Sequence, residues 1–395
     1  MLTLRCPNVD LVLEEEAVLL SSLPLNPSSE LRVIGMKPMH PQPYSKLYWK
    51  HKKLVRGVIV ITDTRERLHD FHGRKTNLYV GHYKAQFLKI DCCIKKAIKE
   101  DPISLSSYTL MKRFRHPNAV TIESIYWEGN QARLLLSTVD GSFEGWVLKH
   151  GCNILFNAAW DGTTLSEVYR SMIIDLCKVL EKLIKDGICP IRICAKNLYI
   201  KLIHGVPKLK VLMDDVECVE KDESLKAKQV KNFWHGVTQM ITSSLERSHF
   251  PPFNINTAGF CNFIGKDSAN KLEAYPDRWS YQEKGAYLLT IVSADREKIR
   301  PLIKSSGVVW ATKGTGELRT KLNQIIVDHK TDNIFYNLSV PYDYIRLCRN
   351  SFKRFNILSP ELQGAFGTNE GILQKMEKWD PEIWLKLFEA IGLPA

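Results

Sequence analysis

The residues best equipped to do chemistry in this chain cluster in one short stretch: Tyr336, then Arg346, Arg349, Asn350, Lys353 and Arg354. Arg346, Arg349, Asn350 and Lys353 stand at i, i+3, i+4 and i+7, so on a helix three cations and an amide share one side, with Arg354 beside them. Guanidinium forks match pairs of phosphate oxygens, so such a face with a tyrosine just upstream is suited to gripping a nucleic-acid backbone. The same pattern also describes an ordinary solvated helix surface. Spacing alone does not choose between the two.

The element that must carry this face is a helix opening at Pro341, which fits a first helical turn. Ile345, Cys348, Phe352 and Phe355 recur at helical spacing and predict a buried stripe opposite the cations. The balance of 55 Lys plus Arg against 43 Asp plus Glu gives a net charge of +12, which favours anionic partners, nucleic acid first and a membrane surface second. With 395 residues, 44% of them apolar, the chain can bury a full core in two or three domains. Ten cysteines, including the vicinal Cys92 and Cys93, lack a paired CxxC spacing and read as reduced thiols rather than metal ligands. Apolar runs such as LVRGVIVIT are too short to span a bilayer, and the opening residues contain no apolar leader. The expectation is a soluble cytoplasmic protein with no membrane partner.

Residues 1–50 combine an acidic apolar patch, LVLEEEAVLL, with repeated prolines, and predict a short helix followed by a partly disordered N-terminal arm. From Lys53 to about Val139, runs at VIVITDT, NLYVGHY, QFLKIDC and ARLLLSTV predict a mostly antiparallel sheet, with one helix at SLSSYTLMKRF. The clearest helix follows at TTLSEVYRSMIIDLCKVLEKLIKDG. Thr164 and Glu167 read as its capping box, Val168, Met172, Leu176, Leu180 and Leu183 as its core face, and Gly187 as its stop. Residues 254–270 read as loop.

The stretch from Phe335 to Gly367, FYNLSVPYDYIRLCRNSFKRFNILSPELQGAFG, resembles the KEN domain. This is the endoribonuclease unit that follows the kinase fold in the family of the inositol-requiring enzyme, the sensor of the unfolded protein response, and of ribonuclease L. That family carries a Tyr, an Arg-Asn pair thirteen residues later and a His four residues after the Asn. Tyr336, Arg349 and Asn350 match this spacing, while Arg354 holds the His position. EGILQKMEKWDPEIWLKLFEAIG is similar to the closing helices, and Trp279 with Ser280 to the junction where the last kinase helix enters KEN. The resemblance implies metal-independent RNA cleavage leaving a 2′,3′-cyclic phosphate, with Tyr336, Arg349, Asn350 and Arg354 as the catalytic set and Arg346 and Lys353 as RNA contacts. It also implies a homodimer, or a heterodimer with a related KEN protein.

Upstream, the order of elements resembles a protein kinase. Lys89 in FLKI stands for the phosphate-pairing lysine, Asn197 in ICPIRICAKNLYI for the metal-ligand Asn, and Asp215 in DDVE for the magnesium-binding Asp. KQVKNFWHGVTQMITSSLE is similar to the buried αF helix, with Lys231 in place of its Asp. Pro190, Ile191 and Arg192 replace His, Arg and Asp of the catalytic loop, and a permanent cation cannot take a hydroxyl proton. No glycine-rich loop precedes Lys89, and Ser106 and Ser107 stand where a Glu belongs. The fold expected is therefore α+β: a two-lobed kinase-like fold without kinase activity over 51–278 (small lobe to about 145), then an all-α KEN domain over 279–395. ATP with magnesium is expected to bind weakly or not at all, and RNA cleavage needs no cofactor. Two functional expectations stand side by side. One is an endoribonuclease weakened by Arg354, in which His329 is a candidate replacement base. The other is a non-catalytic module that binds RNA or dimerises with an active relative.

Overall fold

β-Branched and aromatic runs after residue 58 pair antiparallel throughout, because alternate side chains there can bury one face while their backbones share hydrogen bonds. A computed structural model describes residues 60–85, 88–96, 110–128, 131–191, 193–213, 216–248, 250–308, 317–330, 335–337 and 340–393, with the short strands Arg5–Cys6, Val9–Asp10 and Arg32–Val33. The architecture is α+β. It divides into two compact units, one of Met1–Asn157 with Leu165–Ser248, the other of Ala158–Thr164 with His249–Ala395. The expected helix at LVLEEEAVLL lies outside the described residues. So does most of SLSSYTLMKRF, of which residues 110–113 are helical.

In the first unit, β1 (Arg32–Val33), β2 (Val60–His69), β3 (Lys75–Ala85), β4 (Leu88–Lys96), β5 (Ile122–Glu128) and β6 (Gln131–Leu136) form a six-stranded sheet in the order β1-β2-β3-β4-β6-β5. β4 is interior, and Cys92, Cys93 and Ile94 are buried on both of its faces. β5 was not among the predicted strands. β7 (Gly141–Ser142) leads into α1 (Phe143–His150), after which β8 (Phe156–Ala159) and β9 (Gly162–Leu165) form a hairpin.

α2 (Glu167–Lys185) is the strongly patterned helix of the sequence, with two corrections. Its N-cap is Ser166, whose side chain accepts from the Tyr169 backbone N–H at 3.0 Å, while Thr164 lies in β9. The core face runs through Tyr169, Met172, Ile173, Leu176, Val179, Leu180 and Leu183, leaving Val168 exposed. The start falls two residues later than expected, leaving Val168 exposed in the first turn, while the other four expected core residues, Met172, Leu176, Leu180 and Leu183, are buried. β10 (Ile188–Pro190) pairs with β13 (Val216–Cys218), and β11 (Leu198–Ile203) with β12 (Val206–Val211). α3 (Glu223–Ser248) buries Phe233, Trp234, Val237 and Ile241 and leaves Lys231 exposed.

Among its described residues the second unit is built of helices and their connections, apart from the strand residues within 158–164. Residues 254–270, expected as loop, form α4 (Ile255–Phe263) and the start of α5 (Ala269–Glu273). Asn254 and Ser268 cap them, their side chains accepting from the Thr257 and Lys271 backbone N–H groups. Polar residues that read as loop are here helix caps. α6 (Tyr281–Ser293), α7 (Arg296–Ser305), α8 (Glu317–Lys330), α9 (Pro341–Lys353), α10 (Pro360–Phe366), α11 (Asn369–Trp379) and α12 (Ile383–Ile391) enclose one apolar core. Its centre holds Leu288, Ile291, Ile325, Ile345, Leu347, Leu362, Ile372 and Trp384. Ser280 and Glu283 form a reciprocal capping box that fixes where α6 begins.

Candidate functional site

α9 is the helix that carries the basic face. Pro341 opens it, Ile345, Leu347 and Cys348 are fully buried, and Arg346, Arg349, Asn350 and Lys353 lie half-buried or exposed on the other side. Phe352 and Phe355 are half-buried, and Phe355 falls in the short 3-10 turn after the helix rather than in its stripe. The helix ends at Lys353. Arg354 is its C-cap, with φ −110° and ψ 28°, and its backbone N–H donates to the Asn350 carbonyl at 2.9 Å.

Tyr336 comes back onto this face through side-chain bonds. Asn350 Nδ2 donates to the Tyr336 hydroxyl at 2.7 Å, Arg349 Nη1 donates to Asn350 Oδ1 at 2.7 Å, and Arg349 Nη2 donates to Ser293 Oγ at 3.3 Å, at the end of α6. The Arg346 guanidinium lies 4.7 Å from the centre of the Tyr336 ring and donates through Nη2 to the Phe335 carbonyl. Buried Asp343 completes the frame: its Oδ2 accepts from the Asn337 backbone N–H at 2.7 Å, and its Oδ1 lies 3.6 Å from Arg346 Nε. The segment before the helix is therefore held from two sides, by a cation on the ring and a carboxylate on the next amide.

Burial pushes the Tyr336 phenol above the ordinary tyrosine value, against the pull of the Asn350 amide, Arg346 and Arg354, and Asp343 adds to the rise. The phenol thus stays protonated through the neutral range. Arg349 Nε is buried and has no hydrogen-bond partner.

Of the other expected site residues, Asn197 closes the 3-10 turn Ala195–Asn197, where its Oδ1 accepts from Cys194 N at 3.3 Å and from Cys194 Sγ at 3.1 Å. Lys89 lies on β4 opposite Lys84, its side chain outside the described residues, as is that of His329 on α8. Arg192, Asp215, Ser106 and Ser107 also lie outside them. Among the described residues no three His, Cys, Asp or Glu side chains gather as a metal site, and no helix is long and apolar enough to cross a membrane. Sequence reasoning missed Ser293 and Asp343. Asp343 had a signal, an acid in a first helical turn three residues before Arg346, whereas Ser293 comes from another helix and had none.

No known family model matches this chain, and no curated protein matches it.

Proposed function

We propose that residues 279–395 form a KEN-type RNA-binding module that grips the ribose-phosphate backbone more readily than it cleaves it, in one chain with a kinase-like fold that transfers no phosphate. The observation that carries this is the run of side-chain hydrogen bonds from Ser293 through Arg349 and Asn350 to the Tyr336 hydroxyl. It brings together three groups that steady a phosphate. The Arg349 guanidinium and the Asn350 amide supply charge and donors, and the protonated Tyr336 phenol supplies one proton.

Cleavage by attack of the 2′-hydroxyl on the adjacent phosphate needs a group to take that hydroxyl's proton and one to give a proton to the departing 5′-oxygen. Tyr336 suits the second role. For the first, Arg354 is unsuited, since a guanidinium with a pKa above about 12 holds its proton throughout the neutral range. Binding therefore outruns turnover.

The test is Arg354→His. An imidazole there exchanges protons near neutral pH, and cleavage of a stem-loop RNA should rise by about 100-fold or more, giving 2′,3′-cyclic phosphate ends and depending on Tyr336. No gain, even with the protein forced to dimerise, would leave the non-catalytic RNA-binding module. Absence of RNA binding by the unmodified chain would end both readings.

A further inference from the structure

Two arginines outside α9 extend its cationic face. Arg296 opens α7, three residues after the Ser293 that Arg349 contacts, and Arg300 follows one turn later. Their guanidinium carbons lie 5.5 and 5.9 Å from the centre of one ring, that of Tyr342 in the first turn of α9. Tyr342 is itself buried, so the two cations rest on a fixed support rather than swinging freely.

Their pairing sets them apart from the lysine between them. Lys298 on the same helix is matched to Asp295, within one helical turn. Asp295, one of the two acids that adjoin Arg296 in sequence, is taken by Lys298 and by the Glu297 backbone N–H, and the other, Glu297, forms no ion pair with either arginine. Among the described residues neither Arg296 nor Arg300 pairs with a carboxylate. A guanidinium resting on a ring leaves N–H donors free to meet an anion, and two such cations side by side raise the local positive potential.

We infer that Arg296 and Arg300, braced on Tyr342, form a second phosphate subsite that holds the RNA strand flanking the phosphate bound at Tyr336, Arg349 and Asn350. The inference rests on the proposed RNA-binding reading and gives it a substrate class: a strand several nucleotides long rather than a dinucleotide. It also makes the two arginines positioning groups. They touch the strand away from the reacting atoms, so they set affinity and length preference and leave the bond-breaking step alone.

The experiment measures binding of a fluorescent uridine oligonucleotide about ten nucleotides long, and of a dinucleotide, to the full chain across a salt series. Arg296→Gln with Arg300→Gln should weaken the longer strand about tenfold or more and reduce the slope of log affinity against log salt by about 1–2, leaving the dinucleotide unchanged. Both residues are on the surface side of α7, and an unchanged thermal transition confirms the fold. Arg349→Gln is the companion variant and should weaken both ligands. If the double variant binds the longer strand as the unmodified chain does while Arg349→Gln fails to, the subsite is refuted and the primary site stands. If neither substitution alters binding, or the unmodified chain binds no RNA, both readings fall.

Discussion

Asp343 shows how much of the candidate site depends on a residue outside its cationic face. It is buried, accepts from the Asn337 backbone N–H, and faces Arg346, which in turn lies on the Tyr336 ring. Asp343→Ala leaves that N–H without its acceptor and removes the carboxylate that faces Arg346, at a cost of about 1–3 kcal/mol in chemical denaturation. RNA affinity should fall as well, since Tyr336 is no longer held against α9. Asp343→Asn keeps one acceptor oxygen and should recover part of both. If Asp343→Ala binds RNA as tightly as the unmodified chain, Tyr336 does not depend on this frame. Arg346 changes meaning in the same light: expected as an RNA contact, it is engaged with Tyr336, Phe335 and Asp343, and we assign it chiefly to positioning.

Helix packing decides where this frame sits. Gly285 in α6 leaves room for Phe352 of α9, because a methyl group at 285 would collide with the Phe352 ring. Gly285→Ala gains about 1 kcal/mol of helix propensity and loses about 1–3 kcal/mol to overpacking, so a lowered melting temperature is expected. Phe352→Leu in the same chain should restore it. An unchanged melting temperature in Gly285→Ala would mean that the ring moves aside at no cost. At this scale the sequence was informative where one period governed the outcome. Pro341 and the spacing of Arg346, Arg349, Asn350 and Lys353 placed the basic face of α9 correctly, since 3.6-residue periodicity is local. Phe355 broke the pattern because the helix stops at Lys353, and α4 and α5 were read as loop because their caps look like turn residues. Nothing local could place Ser293 or Arg296 against α9, since those contacts join segments about 50 residues apart in sequence.

Across the whole molecule, buried phenols and thiols set an alkaline limit. Burial, then a hydrogen bond to Glu377, pushes Tyr281 up to about 12, and burial pushes Cys348 and Cys261 to about 12, Cys189 to about 11 and Tyr275 and Tyr287 upward as well. Above pH about 9–10 the unfolded chain sheds these protons while the folded chain keeps them, so stability falls as pH rises through that window. Urea midpoints measured from pH 8 to 11 should decrease steadily, and a flat profile would show that these groups ionise without unfolding. One feature of the connectivity bears on how the protein is made. Residues 158–164 belong to the second unit, where fully buried Thr163 donates its backbone N–H to the Pro252 carbonyl and its hydroxyl to that of Pro251, 88 residues later. On the ribosome this hairpin emerges well ahead of its partner and waits roughly 5–20 s at ordinary elongation rates. Its tip carries Trp160, 98% exposed even in the finished fold, so in nascent chains stalled before residue 251 the hairpin should be cut readily by protease and gain protection only once Pro251–Asn254 has cleared the exit tunnel.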